Sequence, residues 1–439
     1  MIRSTHLLAS LAFAPLAVAA CSGSSAAPSG GPATPGDTTE AARSNLARDT
    51  APSVPPADAD ALALGNTAFA FDLYRSVTGQ DATTNLFYSP YSVSIALAMT
   101  YAGAGGATAT QLASALHFTL PPERLHPAFN ALDLALASRA AGAGKGFHLD
   151  VADSLWAERT LSFGKPFLDT LGVNYGAGVF LTDFLGAPEG ARADINGWVS
   201  DHTSAKIPEL LPEHSLTSDT RFVLVNAIYF DAAWATPFDE RMTKPAAFHR
   251  LDGSAAQPAT MSNYYESAPW ASGDGWQAVE LGYDGDQTSM LVIVPDAGKF
   301  AAVESALDAT FYAGVTAALA PKSVALALPK FTIPGATFSL RQQLLALGAA
   351  DAFDAEKADF FAMIDQQQGP TWIGDVLHQA FVRVDEKGTE AAAATAVIGV
   401  GTSAAVDVKD VTVDRPFFFA IRDVPTGTVL FLGRVTDPG

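Results

Sequence analysis

Glu386-Lys387-Gly388-Thr389-Glu390-Ala391-Ala392-Ala393-Ala394-Thr395-Ala396-Val397 is the stretch on which the reading of this chain turns. On propensity alone it is a helix, because alanine is the best helix former and Thr389 after Gly388 is placed to cap one. The continuation argues otherwise. Ile398 to Ala405 is small, punctuated by glycine and without an aromatic anchor. A long exposed loop is expected, and loops of this length are functional or disordered.

The regions before this loop are those of a large folded body. With 439 residues, 49% of them hydrophobic and 10% aromatic, the chain can bury roughly three quarters of its unfolded surface. Nothing beyond residue 60 resembles a linker, and no internal repeat is present. One large domain over residues 61–439 follows. Helical and strand patterns mix without regular alternation, which favours an α+β fold with mainly antiparallel sheets over a doubly wound parallel one. Leu62, Leu64, Phe69, Phe71, Leu73 and Tyr74 open the first dense apolar set, on a helix, and Ser92 to Tyr101 is a second helix. Arg221 to Phe230 is apolar on both faces and predicts a central strand covered on both sides. Ser289–Val294 and Val324–Leu328 are further strands. Phe417–Ile421 pairs with Thr428–Leu432 across Asp423-Val424-Pro425-Thr426-Gly427 as a hairpin.

The ends and the charge set further bounds. Residues 1–20 carry a basic start at Arg3, an apolar stretch from Leu7 to Val18, then Ala19 and Ala20, which is the pattern of a secretory signal. Val18-Ala19-Ala20-Cys21 resembles a bacterial lipobox, so Cys21, the single cysteine, is expected to be lipidated. Several acyl chains there would anchor the protein stably in a membrane. Ser22 points by resemblance to outer-membrane sorting, on the periplasmic or the outer surface. Residues 21–60, rich in Ala, Pro, Gly, Ser, Thr and Asp, read as a disordered tether. The formal net charge of −20, with dispersed lysines and arginines, excludes a phosphate-backbone binder.

Catalytic patterns are missing from the sequence. It contains no Gly-x-Ser-x-Gly and no His-Glu-x-x-His, and its eight histidines are scattered. One cysteine allows neither an intrachain disulfide nor a Cys-based metal cluster. Gly103-Ala104-Gly105-Gly106 and Gly142-Ala143-Gly144-Lys145-Gly146 fit neither a Walker A nor a dinucleotide fingerprint and read as loops. No catalytic residue, metal or cofactor is assigned, and the chain is not read as an enzyme.

The run from Glu386 resembles, residue by residue, the reactive-loop hinge of inhibitory serpins: acidic, variable, Gly, Thr or Ser, Glu, then several alanines. The likeness extends over nearly all of residues 62–439. It includes Asn85-Leu86-Phe87-Tyr88-Ser89-Pro90-Tyr91-Ser92 and Val225-Asn226-Ala227-Ile228-Tyr229-Phe230 followed by Trp234. Ile195-Asn196-Gly197-Trp198-Val199 with Thr203 and Lys206-Ile207 is similar to the family's helix across the main sheet. Val413-Asp414-Arg415-Pro416-Phe417-Phe418-Phe419 is similar to its C-terminal signature.

The resemblance implies three mainly antiparallel sheets, about eight or nine helices and an exposed reactive-centre loop. It also implies an irreversible inhibitor of serine endopeptidases: a protease cleaves the loop, is held as an acyl-enzyme, and is dragged across the molecule as the loop inserts into the main sheet. In this family such insertion is itself a recognised instance of strand addition and release of stored strain. The implied hinge is Glu386, Gly388, Thr389, Glu390, Ala391, Ala392, Ala393, Ala394 and Thr395. Ser89, Ser92, Asn226 and His378 correspond to the family's shutter and Trp234 to its breach. Both sets also read as ordinary core residues.

Insertion as a strand sends alternate side chains into the core. With Thr389 inward, Ala391, Ala393, Thr395 and Val397 follow it, all uncharged, while Glu390 faces out. By resemblance to the family's spacing from the hinge glutamate, the cleaved bond is implied at Thr402-Ser403; counting back from Pro416 in the same way allows positions as far as Ala405. Small residues from Val400 to Ala405 favour elastase-like or subtilisin-like targets. Arg124, Arg139 and Lys145 are too sparse for a heparin-type polyanion site, and the chain reads as a monomer. A non-inhibitory carrier, chaperone or surface protein, and an inhibitor of cysteine proteases by the same trap, remain as alternatives.

Overall fold

A computed structural model of the chain describes residues 40–79, 83–142, 147–335, 337–364, 368–389 and 407–439. Among these, nine helices of six or more residues surround three sheets, in the α+β arrangement the sequence predicts.

The main sheet is organised about the strand Phe222–Ala233. Its β-branched and aromatic residues suit an extended chain, and its unbroken apolar character suits burial on both sides. Alternation sends Val223, Val225 and Ala227 to one face, where Ile195, Trp198 and Val199 of the helix Pro188–His202 cover them. Leu224, Ile228 and Phe230 point the other way, into the larger core. On one side this strand runs antiparallel to Phe147–Glu158. On the other it runs parallel to Val376–Asp385, from Leu224 opposite Val376 to Tyr229 opposite Phe381.

The second sheet runs, in order, Val408–Thr412, Ala320–Pro329, Ala259–Gly273, Trp276–Gly282, Thr288–Pro295, Phe417–Asp423, Val429–Val435 and Leu86–Tyr88. The hairpin Phe417–Asp423 with Val429–Val435 has Phe417 opposite Val435. The helix Pro90–Tyr101 packs on Phe147–Glu158, Phe222–Ala233 and Val429–Val435 and is buried along nearly its whole length. Its start is defined twice over. Pro90 occupies the first turn, and Ser89 Oγ caps it by accepting from Ser92 N at 3.1 Å.

The N-terminal boundary departs from the expected tether over residues 21–60. Ala41 pairs with Phe180 and Ala42 with Val179, adding an outer strand to the main sheet. Ser44 Oγ donates to Asp169 Oδ1 at 2.6 Å, and Arg48 reaches Asn130 Oδ1 at 2.8 Å and Asp133 Oδ2 at 2.6 Å. The first helix starts at Pro56. Composition missed this arm because backbone bonds to a sheet edge and a partly buried ion pair hold it, with few large apolar side chains involved. The Asp133 carboxyl is buried, which raises its pKa against the pull of Arg48. Arg48→Ala leaves that carboxyl without its cation, and the urea midpoint should fall by the equivalent of about 3 kcal/mol. An unchanged midpoint would mean that the arm contributes nothing to the fold.

Candidate functional site

The strands Phe222–Ala233 and Val376–Asp385 are paired directly over only part of their length. Beyond Tyr229 and Phe381 they separate, and the two-residue strand Gly388–Thr389 lies between them. After a turn at Glu386 and Lys387 the chain runs back antiparallel to both neighbours. Gly388 sits opposite Asp385 and Ala233, and Thr389 opposite Val384 and Ala232. Glycine is required at the entrance: a Cβ on Gly388 would lie 2.1 Å from the Ala232 carbonyl oxygen.

Thr389 is fully buried, and its hydroxyl lies 2.7 Å from that of Tyr283. Burial raises the Tyr283 phenol well above its ordinary pKa, so it stays protonated. The Tyr283 ring stacks on Trp234, with centroids 4.6 Å apart and planes at 8°. Trp234 Nε1 donates to the Asp385 carbonyl at 3.0 Å, and its backbone N–H donates to the Lys387 carbonyl at 2.8 Å. Glu386 is fastened below: its carboxylate accepts from Thr243 Oγ1 and from Lys330 Nζ, each at 2.8 Å. Burial opposes that charge, but Lys330, a backbone N–H and Thr243 outweigh it and keep the carboxyl below its usual pKa.

About 20 Å further along the strands, at 3.3 Å per residue, lies a polar cluster. Asn226 and His378 face each other in register across the two strands. Both point to the side of the helix Pro90–Tyr101. His378 Nε2 accepts the Ser89 backbone N–H at 3.1 Å, so in the neutral ring the proton sits on Nδ1, which donates to Asn226 Oδ1. Asn226 Nδ2 therefore faces away and donates to Asp153 Oδ1, which Ser92 Oγ also approaches at 3.4 Å. Ser89 Oγ donates to the Leu430 carbonyl at 2.7 Å. Burial pushes the His378 pKa down to about 3, which keeps the ring neutral.

Of the residues singled out in the sequence, Glu386, Gly388, Thr389 and Trp234 meet at the separated end. Ser89, Ser92, Asn226 and His378 meet at the closed stretch. Glu390, Ala391 to Ala394, Thr395, Thr402, Ser403 and Cys21 lie outside the described residues. The seam between the two strands is held by hydrogen bonds and is entered by Gly388 and Thr389 at one end. Among the described residues no group of three His, Cys, Asp or Glu is placed to hold a metal.

A family model described as Serpin (serine protease inhibitor) matches residues 64–438. The chain belongs to the serpin family. This serpin is 34% identical to the human leukocyte elastase inhibitor, over 86% of its own length and 99% of that protein. It is 35% identical to a serpin-like protein of Thermococcus kodakarensis, over 84% of each chain. Among solved structures it is similar to the thermophilic serpin tengpin in the native state, with a TM-score of 0.78 and 27% identity over 90% of this chain and 97% of that one.

Sequence reasoning missed four members of the site in this serpin: Asp153, Tyr283, Thr243 and Lys330. Asp153 alone carried a local signal, as the acid that shares the alternating apolar face of Phe147, Leu149, Val151 and Leu155. The other three arrive from strands and turns distant in sequence. Two outcomes are expected. His378→Ala strands the Ser89 N–H and Asn226 Oδ1, and should cost about 2–4 kcal/mol in denaturant unfolding; a change below about 1 kcal/mol would show that the network relaxes around the loss. The unfolded imidazole protonates near pH 6.5, whereas the folded ring resists until about 3. The His378 contribution is thus fully present above about pH 6.5 and declines as pH falls toward 3, which unfolding measured with and without His378→Gln will isolate.

Proposed function

We propose that this serpin is an irreversible suicide-substrate inhibitor of serine endopeptidases, with elastase-like or subtilisin-like enzymes as its targets. The observation that carries this reading is Thr389, buried between two main-sheet strands and bonded to Tyr283. A strand has been started there. Extending it places Ala391, Ala393, Thr395 and Val397 on the face of Thr389, and none of them brings a charge into the core. That condition matters, because an unpaired buried charge costs several kcal/mol and would stall insertion. Similarity to the human leukocyte elastase inhibitor supports an inhibitor of elastase-like enzymes. So do the small residues from Val400 to Ala405.

Residues 1–20 direct export, Cys21 is acylated, and the serpin body is held as a monomer at the outer membrane or cell surface. The cleaved bond is Thr402-Ser403. No polyanion or nucleic acid partner is invoked, and the protein turns over no substrate of its own.

Incubation with a panel of elastase-like, subtilisin-like, trypsin-like and cysteine proteases tests this directly. A complex stable in SDS with the first two classes is expected; cleavage of the serpin without any such complex would overturn the reading. Mass spectrometry of the released C-terminal fragment should begin at Ser403. Thr389→Arg should convert the inhibitor into a substrate, raising the moles of serpin consumed per protease at least tenfold, on the order of a 1.4 kcal/mol shift in partition. Cys21→Ala should abolish incorporation of labelled fatty acid and release the protein from the membrane fraction.

A further inference from the structure

The shutter is a directed chain of hydrogen bonds, and Asp153 is its terminus. From His378 Nδ1 to Asn226 Oδ1, and from Asn226 Nδ2 to Asp153 Oδ1, every donor points toward that carboxyl. Its second oxygen, Oδ2, is buried and has no hydrogen-bond partner among the described residues. Beside it lies a cavity of about 10 Å³ lined by Asp153, Arg43, Met99 and Phe180 among others, space for no more than one water. Bulk solvent does not reach the group.

Nor does a cation among the described residues compensate it. From the helix Pro90–Tyr101 come Ser92 and Tyr91; from Phe222–Ala233, Asn226; from Val376–Asp385, the neutral His378. Asp133, on Pro122–Ala137, adds a repulsive negative charge, and the nearby Arg48 is already paired with it. Arg43 lines the cavity with its guanidinium over the Phe180 ring, 5.8 Å from the centroid. Burial is the largest influence on Asp153 and raises its pKa well above the ordinary carboxylate value.

We infer that Asp153 is a positioning residue of the shutter which carries a proton while the main sheet is closed, and that loss of this proton eases the parting of Phe222–Ala233 from Val376–Asp385. The second half rests on the inhibitory reading; the first does not. A closed seam shuts the carboxyl away from water, and any opened form hydrates it. The closed form therefore holds the proton more tightly, opening releases it, and a rise in pH favours opening. The sign is opposite to that of His378. For Asp153, stability is fully present near the unfolded carboxylate pKa of about 3.9 and declines as pH rises through the elevated folded value.

Asp153→Asn keeps the acceptor facing Asn226 and Ser92 and removes the titration. Melting temperatures of the full chain and this variant, measured from pH 4.5 to 8.5, should diverge as pH rises, with the variant the more stable at high pH. A difference that does not change with pH, or a variant less stable throughout, would overturn the protonated carboxyl. Infrared spectra should show a protonated carboxyl carbonyl band in the wild type that the variant lacks. Ser92→Ala, which keeps the carboxyl and removes one donor, should move the pH dependence of the melt upward; no movement would count against Asp153 as its source. The rate at which the cleaved loop inserts, followed by fluorescence, should rise several-fold between pH 5 and 8 in the wild type and stay flat in Asp153→Asn. Equal profiles alongside diverging melts would sink the control of opening and leave the proton. Diverging melts with no covalent protease complex would sink the inhibitory reading alone.

Discussion

The backbone pairing between Phe222–Ala233 and Val376–Asp385 is the constraint on which the rest of this molecule depends. Parallel strands deep in a sheet are ordinarily fixed, because each amide and carbonyl taken from its partner must find another. Here the pairing stops at Tyr229 and Phe381, and Gly388–Thr389 takes over the hydrogen bonds that the separated ends would otherwise lack. Parting the strands further therefore need not leave backbone groups stranded, provided a new strand follows as fast as the old contact is lost. Elements that would otherwise be incidental acquire a purpose from this. Gly388 admits the close approach to Ala232, Tyr283 and Trp234 hold the first inserted side chain, and the Thr243 and Lys330 bonds to Glu386 fix where the turn begins.

On the proposed inhibitory reading, the seam must also stay shut until the loop inserts. Its outer face is sealed by Trp198 and its neighbours on the helix Pro188–His202, an apolar contact without directional preference. Its inner face is held by the polar run from Ser89 through His378 and Asn226 to Asp153. Polar groups in an apolar sheet are costly unless every member is satisfied. Such a network has one well-defined arrangement and is easily disrupted by a change at one member, which suits a joint that must be either closed or open. Among the described residues, Asp153 has one carboxylate oxygen with hydrogen-bond partners and one without, and it is the member that we infer to respond to a rise in pH.

The fold was legible in the sequence where physics is local. The period and length of Arg221 to Phe230 and the hairpin about Gly427 each follow from neighbouring residues. The N-terminal arm was not, because Ala41 and Ala42 contribute backbone bonds and Arg48 one ion pair, and neither leaves a mark on composition. At the site, the hinge residues were visible as a breach of local rules, a helix-forming run with nothing to pack against. Trp234 and the shutter residues came only through resemblance to a family. Tyr283, Thr243 and Lys330 were hidden because their roles exist only once distant strands are brought together.

The central claim is that Gly388–Thr389 is the first part of a strand that the main sheet can complete. The most direct measurement is amide hydrogen exchange on the purified protein before and after a single cut within residues 390–406. Amides following Thr389 should become strongly protected after the cut, while those of Phe222–Ala233 and Val376–Asp385 stay protected on either side of them. Amides that exchange as freely after the cut as before would contradict it.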